Sequence, residues 1–93
     1  MEGPTTKYPN QLGAIRRLRG LRQIDIARCL GHADATGYQA IERGRRFPRG
    51  QTLALILTVL HCELKDAYPH LVWEAQERVS RQRSSYSDPP AFI

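Results

Sequence analysis

Ninety-three residues carrying a formal net charge of +5 allow one small domain, which buries only about 60 to 65% of its unfolded surface and therefore gains from a partner. No apolar run approaches the ~20 residues of a membrane span, and residues 1–10 lack the hydrophobic stretch of a secretory signal, so a cytoplasmic protein is expected. Cys29 and Cys62 form no CxxC pair, which excludes a thiol-rich metal motif and, in that compartment, predicts no disulfide.

Residues 1–9 hold Gly3, Pro4 and Pro9 with little apolar content and read as a flexible arm leading to a helix start near Asn10. Lys7 and Tyr8 have two readings there, a segment reaching into a DNA groove or a disordered terminus. Helix 1 is expected over residues 10–19, with Leu12, Ile15 and Leu18 on one face, Arg16 off that stripe and Gly20 ending it. Arg17 and Arg19 read as a solvated basic face.

Helix 2 is expected over residues 23–30, with Ile26, Ala27 and Leu30 inward. Ala27 is small enough for two crossing helices to touch, and Gly31 suits the left-handed backbone that follows a helix. The amino end of this helix, next to Arg22 and Gln23, offers free N–H groups and a positive dipole to a phosphate. Cys29 reads as a half-exposed filler.

Asp34 is placed to cap helix 3, expected over residues 35–43. With Tyr38 and Ile41 inward, the outward set is Ala35, Thr36, Gly37, Gln39, Ala40 and Arg43. Such a helix fits the major groove: Gln39 can make a two-point bond to adenine, the Thr36 methyl and Ala40 suit thymine methyls, and Gly37 permits close approach. The face is small, which gives DNA shape a larger share in any recognition.

Arg45, Arg46 and Arg49 surround Phe47 and Pro48 in the next loop. Together with Arg22, Gln23 and Arg43 they form the expected phosphate-binding set, about four to seven contacts and hence a steep salt dependence. Phe47 reads as a core plug. Helix 4, residues 52–61, is apolar on nearly every side and leaves Leu55 or Val59 for an interface. A short helix 5 covers residues 63–68. His61, Cys62 and His70 lack zinc-motif spacing, so no metal or other cofactor is expected. Helix 6, residues 70–83, carries Leu71, Val72, Ala75 and Val79 at helical spacing, and either folds back on its own domain or pairs with a second subunit. Residues 84–93 read as a disordered tail, with Phe92 and Ile93 a possible partner peptide.

Arg16, Gly20-Leu21, Gln23, Ala27, Gly31, Ile41-Glu42-Arg43-Gly44, Pro48 and Thr52-Leu53 occur together at spacings that resemble the lambda-repressor-like (Cro and repressor, or xenobiotic-response-element) helix-turn-helix family over residues 12–68. The turn is one residue longer than in the commonest members, and Arg22 stands where a Ser or Thr cap is usual. The resemblance implies an all-α, five-helix domain, here with an additional C-terminal helix. It also implies an Arg16–Glu42 ion pair that orients helix 3, and a Gln23 amide that grips DNA backbone and braces that helix.

Charge agrees with this. Residues 1–50 hold ten Lys or Arg against four acids, and residues 51–93 hold four against five, an asymmetry that suggests an anionic partner at one end. No nucleophile-base pair or phosphate-cradling glycine loop suggests an enzyme. The expectation is a homodimeric regulator of transcription, most simply a repressor, on a near-palindromic double-stranded operator and nucleoid-associated when bound. The alternative is a protein-interaction module, an antitoxin or anti-activator, that engages a partner through helix 6 or the tail.

Overall fold

A computed structural model describes residues 6–84, an all-α arrangement of six helices with no strand among the described residues. They are α1 (Leu12–Leu18), α2 (Gln23–Cys29), α3 (Thr36–Glu42), α4 (Gly50–Leu60), α5 (Leu64–Ala67) and α6 (Pro69–Ser84). No helix among them is long and apolar enough to cross a membrane. α2 packs on both α3 and α4, and α5 packs on α6. Leu12, Ile26, Ala27, Tyr38, Ile41, Ile56, Leu60, Ala67 and Tyr68 form the buried core.

The helices are short, so their ends decide much of their stability. α1, α2 and α3 each end with a glycine at positive φ, namely Gly20, Gly31 and Gly44. In each, the next two N–H groups turn back onto the last turn; after α3, Gly44 donates to Ile41 and Arg45 donates to Ala40. α4 ends in the same way but with His61, at φ 52°, in the glycine's place. Arg19 lies against that end: its Nε donates to the Leu60 carbonyl at 2.8 Å and its Nη2 to the His61 carbonyl at 3.0 Å. Arg19, exposed as the sequence suggested, is thus also a helix cap. Its charge also suits the negative end of the α4 dipole.

α1 differs from the expected pattern in a second way. Leu18 is 79% exposed, whereas Arg16 is buried beside Leu12. At about 100° per residue, positions 12, 16 and 19 share one side of a helix and position 18 falls well away from it. The inward stripe of α1 is therefore partly arginine.

The arm expected to be flexible through Pro9 is tied down from Tyr8 onward. Tyr8 N–H donates to the Gly44 carbonyl at 2.9 Å, and Asn10 Nδ2 donates to the Ile41 carbonyl at 3.1 Å. The Tyr8 ring packs on Phe47 at 5.5 Å between centroids, and Phe47 packs edge-on against Tyr68 at 5.1 Å. Phe47 is the plug that the sequence suggested, with Tyr8 as its lid. Residues 1–5 and the tail from 85 on lie outside the described residues.

Gly44 carries this junction. A Cβ there would lie 2.8 Å from the Tyr8 carbonyl oxygen and collide with the Thr6 side chain, whereas one at Gly20 would meet nothing. Both positions need positive φ, which costs an alanine about 1 to 2 kcal/mol. Gly20→Ala should lose about that much stability in urea melts, and Gly44→Ala distinctly more, with release of Tyr8 seen as faster hydrogen exchange at its amide.

Candidate nucleic-acid interface

The orientation of α3 is set by one carboxylate. Glu42, in the last turn of α3, accepts Arg16 Nε at 2.7 Å on one oxygen and Arg16 Nη2 at 3.2 Å on the other. The two side chains are only 11% and 9% exposed. Arg16 Nη1 donates onward to the Leu21 carbonyl at 2.8 Å. Glu42 Oε1 also accepts Gln23 Nε2 at 2.9 Å, and Gln23 Oε1 accepts Gln39 Nε2 at 3.0 Å. A continuous polar chain thus runs from α1 through the start of α2 to the middle of α3. Gly13 makes room for it, since a Cβ there would sit 3.2 Å from Glu42 Oε1. Nothing in the hydrophobic pattern marks Gly13; its signal is a glycine inside a helix with no turn to explain it.

Burial would raise the Glu42 pKa, but hydrogen bonds from Arg16 and Gln23 outweigh it and hold the carboxyl below the ordinary glutamate range. The Arg16 guanidinium is held above its usual value mainly by the Glu42 bond. Burial, with the Glu42 charge second, pushes the Tyr38 hydroxyl, which is buried beside the Arg16–Glu42 pair, well above the usual phenol range.

The base-reading candidates divide. Thr36 is exposed, and Gly37, Gln39 and Ala40 are half-buried. Ala35, expected outward, instead packs against the core at the N-cap of α3. Its placement just before the first helical turn, not on it, rotates it inward. Asp34, one residue before that N-cap, accepts the Thr36 N–H at 2.9 Å, which satisfies one free donor at the helix start and lowers the Asp34 pKa. The His32 ring lies against the Gly37 backbone: a Cβ on Gly37 would be 3.4 Å from it. His32 is an exposed neighbour of this face that sequence reasoning did not single out. Gln39 spends one N–H on Gln23, which leaves its carbonyl and second N–H for a base.

The phosphate-binding candidates divide as well. Arg22 is clasped by Asp25, with Nη2–Oδ1 at 3.0 Å, while the other carboxylate oxygen accepts the Arg22 backbone N–H at 2.8 Å. Asp25 therefore does the capping that Arg22 cannot, and lowers the net charge at that helix end. Gln23 has its amide committed on both sides, which gives it the bracing half of its expected role. Arg43, Arg45, Arg46 and Arg49 are different: all four are exposed, and none forms an ion pair among the described residues. Their loop is nonetheless anchored, by Phe47 between Tyr8 and Tyr68 and by buried Pro48. Lys7, exposed next to Tyr8, is carried to the same end of α3 through the Tyr8–Gly44 hydrogen bond.

Elsewhere, Cys29 is exposed and Cys62 is partly buried against the core, where desolvation raises its pKa. Among the described residues no three His, Cys, Asp or Glu side chains come together in a metal-binding group.

Because the folded-state pKa of Glu42 is depressed, its charge contributes stability above the ordinary glutamate pKa, and that contribution is lost as pH falls through this range toward the folded value. Glu42→Gln should cost about 3 kcal/mol at pH 7. The gap between wild type and variant in chemical melts should close on acidification; a gap that stays constant with pH would mean that the carboxylate charge is not what holds α3.

Comparison of the chain with protein-family models, with curated proteins and with solved structures found no match.

Proposed function

We propose that the chain is a sequence-specific, double-stranded-DNA-binding regulator of the lambda-repressor-like helix-turn-helix kind, acting as a homodimer with α3 in the major groove. What carries this reading is the unequal use of arginine. Arg16 is buried against Glu42, and Arg19 and Arg22, though exposed, are bound to the end of α4 and to Asp25. Arg43, Arg45, Arg46 and Arg49 are left exposed at one end of α3, on a loop that aromatic packing keeps still. An anchored row of free guanidiniums has little value to folding. It suits an anion of extended, regular charge, and a nucleic-acid backbone is such an anion.

In this mechanism the loop arginines fix register on the sugar-phosphate chain. α3 then presents Thr36, Gly37, Gln39 and Ala40 to base edges, with Gln39 already oriented by Gln23. A two-fold dimer would set its two reading helices about 34 Å apart, one turn of duplex, which corresponds to a near-palindromic operator. Occlusion of a promoter is the simplest consequence.

A second reading, a protein-interaction module of the antitoxin or anti-activator type, draws support from the inward turn of Ala35, which shrinks the reading face, and from the exposed apolar residues of α6. Selection of bound sites from random duplex DNA separates the two. An enriched near-palindrome is expected, and no enrichment at physiological salt would favour the second reading.

On the selected site, Arg45→Ala and Arg46→Ala should weaken binding on all duplexes alike and each lower the slope of log K against log salt by about 1. Gln39→Ala should relax preference at one base pair, by about 1 to 3 kcal/mol, and leave the salt slope unchanged. Anisotropy titrations at several salt concentrations measure both.

A further inference from the structure

Among the described residues, α6 packs mainly on α5, at its beginning. Val72 is half-buried, and every residue from Trp73 to Arg83 is exposed. Leu71, Ala75 and Val79 nevertheless recur at intervals of four and share one side of the helix, with Leu71 38% and Val79 54% exposed. A 16-residue helix that leaves this stripe in water is marginal by itself. Charge is sorted along it: Glu74 and Glu77 precede Arg78, Arg81 and Arg83. Glu74 and Arg78 lie one turn apart on the same flank of the stripe.

We infer that α6 is the dimer contact, and that it pairs with α6 of a second copy in antiparallel fashion, with the two-fold axis at Ala75. Leu71 then meets Val79 of the other copy on each side of an Ala75–Ala75 contact, where the small side chains let the helices approach closely. Glu74 of each copy faces Arg78 of the other. A parallel pair would set the Glu74–Arg78 flank against the other flank of the partner helix, that of Val72 and Gln76, where no charge answers it, so the charge order selects the antiparallel arrangement and a second copy as occupant. The helix dipoles oppose in the same arrangement. This inference deepens the homodimer of the proposed function, but it stands on α6 alone and is tested without DNA.

Sedimentation equilibrium of the full chain at about 1 to 500 µM should show monomer and dimer, since a contact this small belongs to the weak class of interfaces. Val79→Glu should raise the dimer dissociation constant at least tenfold, with helix content by circular dichroism preserved. Glu74→Arg and Arg78→Glu should each weaken the dimer, and the double variant carrying both should restore it. Glu74 and Arg78 also lie within reach of each other on one helix, so the restoration belongs to antiparallel pairing when helix content by circular dichroism is the same in the single and double variants; a parallel pair would then gain nothing from the exchange. A full chain that stays monomeric throughout, a dimer indifferent to Val79→Glu, or a double variant no better than the singles would each overturn the inference. A monomer whose melting is lowered by Val79→Glu would assign the stripe to the chain's own tail instead. Loss of DNA binding in a loop-arginine variant that still dimerises would leave this inference standing and bear only on the DNA reading.

Discussion

The geometry of this small protein rests on the Glu42 carboxylate. Three helices meet there through polar atoms, α1 by Arg16, α2 by Gln23 and α3 by Glu42 itself. Apolar contacts between short helices allow some rotation, because one methyl group can slide past another at little cost. A bidentate guanidinium–carboxylate pair does not, since both bonds weaken together when either group turns. The core made by Ile26, Ala27, Tyr38 and Ile41 accordingly holds α3 against α2, while the Glu42 network sets the angle at which α3 faces outward. Nearly all the charge is removed from water, so the pair adds little net stability over an apolar substitute and much specificity of arrangement, a division known for some buried ion pairs.

The chain uses arginine for two opposite purposes. Arginines that bind within the fold replace what a chain of this size is short of, namely apolar surface to bury and residues to spare for capping loops. Arg16 fills a core-facing position of α1, and Arg19 satisfies carbonyls that the end of α4 would leave open. The outward arginines of the α3–α4 loop carry like charge and form no ion pair among the described residues. They are tolerated because Phe47 and Pro48 supply the anchoring between them. The net charge of the N-terminal half thus overstates the free cation on its surface, which is concentrated at the end of α3.

Much of this was legible in the residues. Glycines after apolar stripes marked the ends of α1 and α2, the end of α3 came with the Ile41-Glu42-Arg43-Gly44 motif of the resemblance, and the spacing of Ile26, Ala27, Tyr38 and Ile41 gave the packing of α2 on α3. Arg16 with Glu42 was legible only through resemblance, because nothing local pairs residues 26 apart. The misreadings have a common physical origin. Leu18 was assigned inward because it is apolar, although helix geometry places Arg16 and Arg19 with Leu12; composition overrode angle. Tyr8 looked loose because its partners, Phe47 and the Gly44 carbonyl, are remote in sequence. Ala35 was assigned outward because a one-residue shift in where α3 begins turns a side chain by about 100°. In the candidate site, the loop arginines were identifiable by type and spacing; which of the remaining cations were already spoken for was not.

α6 closes the argument from the other direction. The domain through α5 already satisfies its core, and the helix that follows carries an apolar stripe with nothing left to cover. Among the described residues, α4 and α1 do not cover it: Leu55 and Leu18 on those helices remain exposed as well. A weak contact between copies has a particular consequence on the proposed reading. Two copies bound to adjacent half-sites are held at an effective concentration far above that in bulk, so a contact too small to keep the free protein dimeric still couples the two binding events. Occupancy would then rise with nearly the square of monomer concentration, and the sharpness of the response would reside in α6 while affinity resides in the loop arginines and orientation in Glu42.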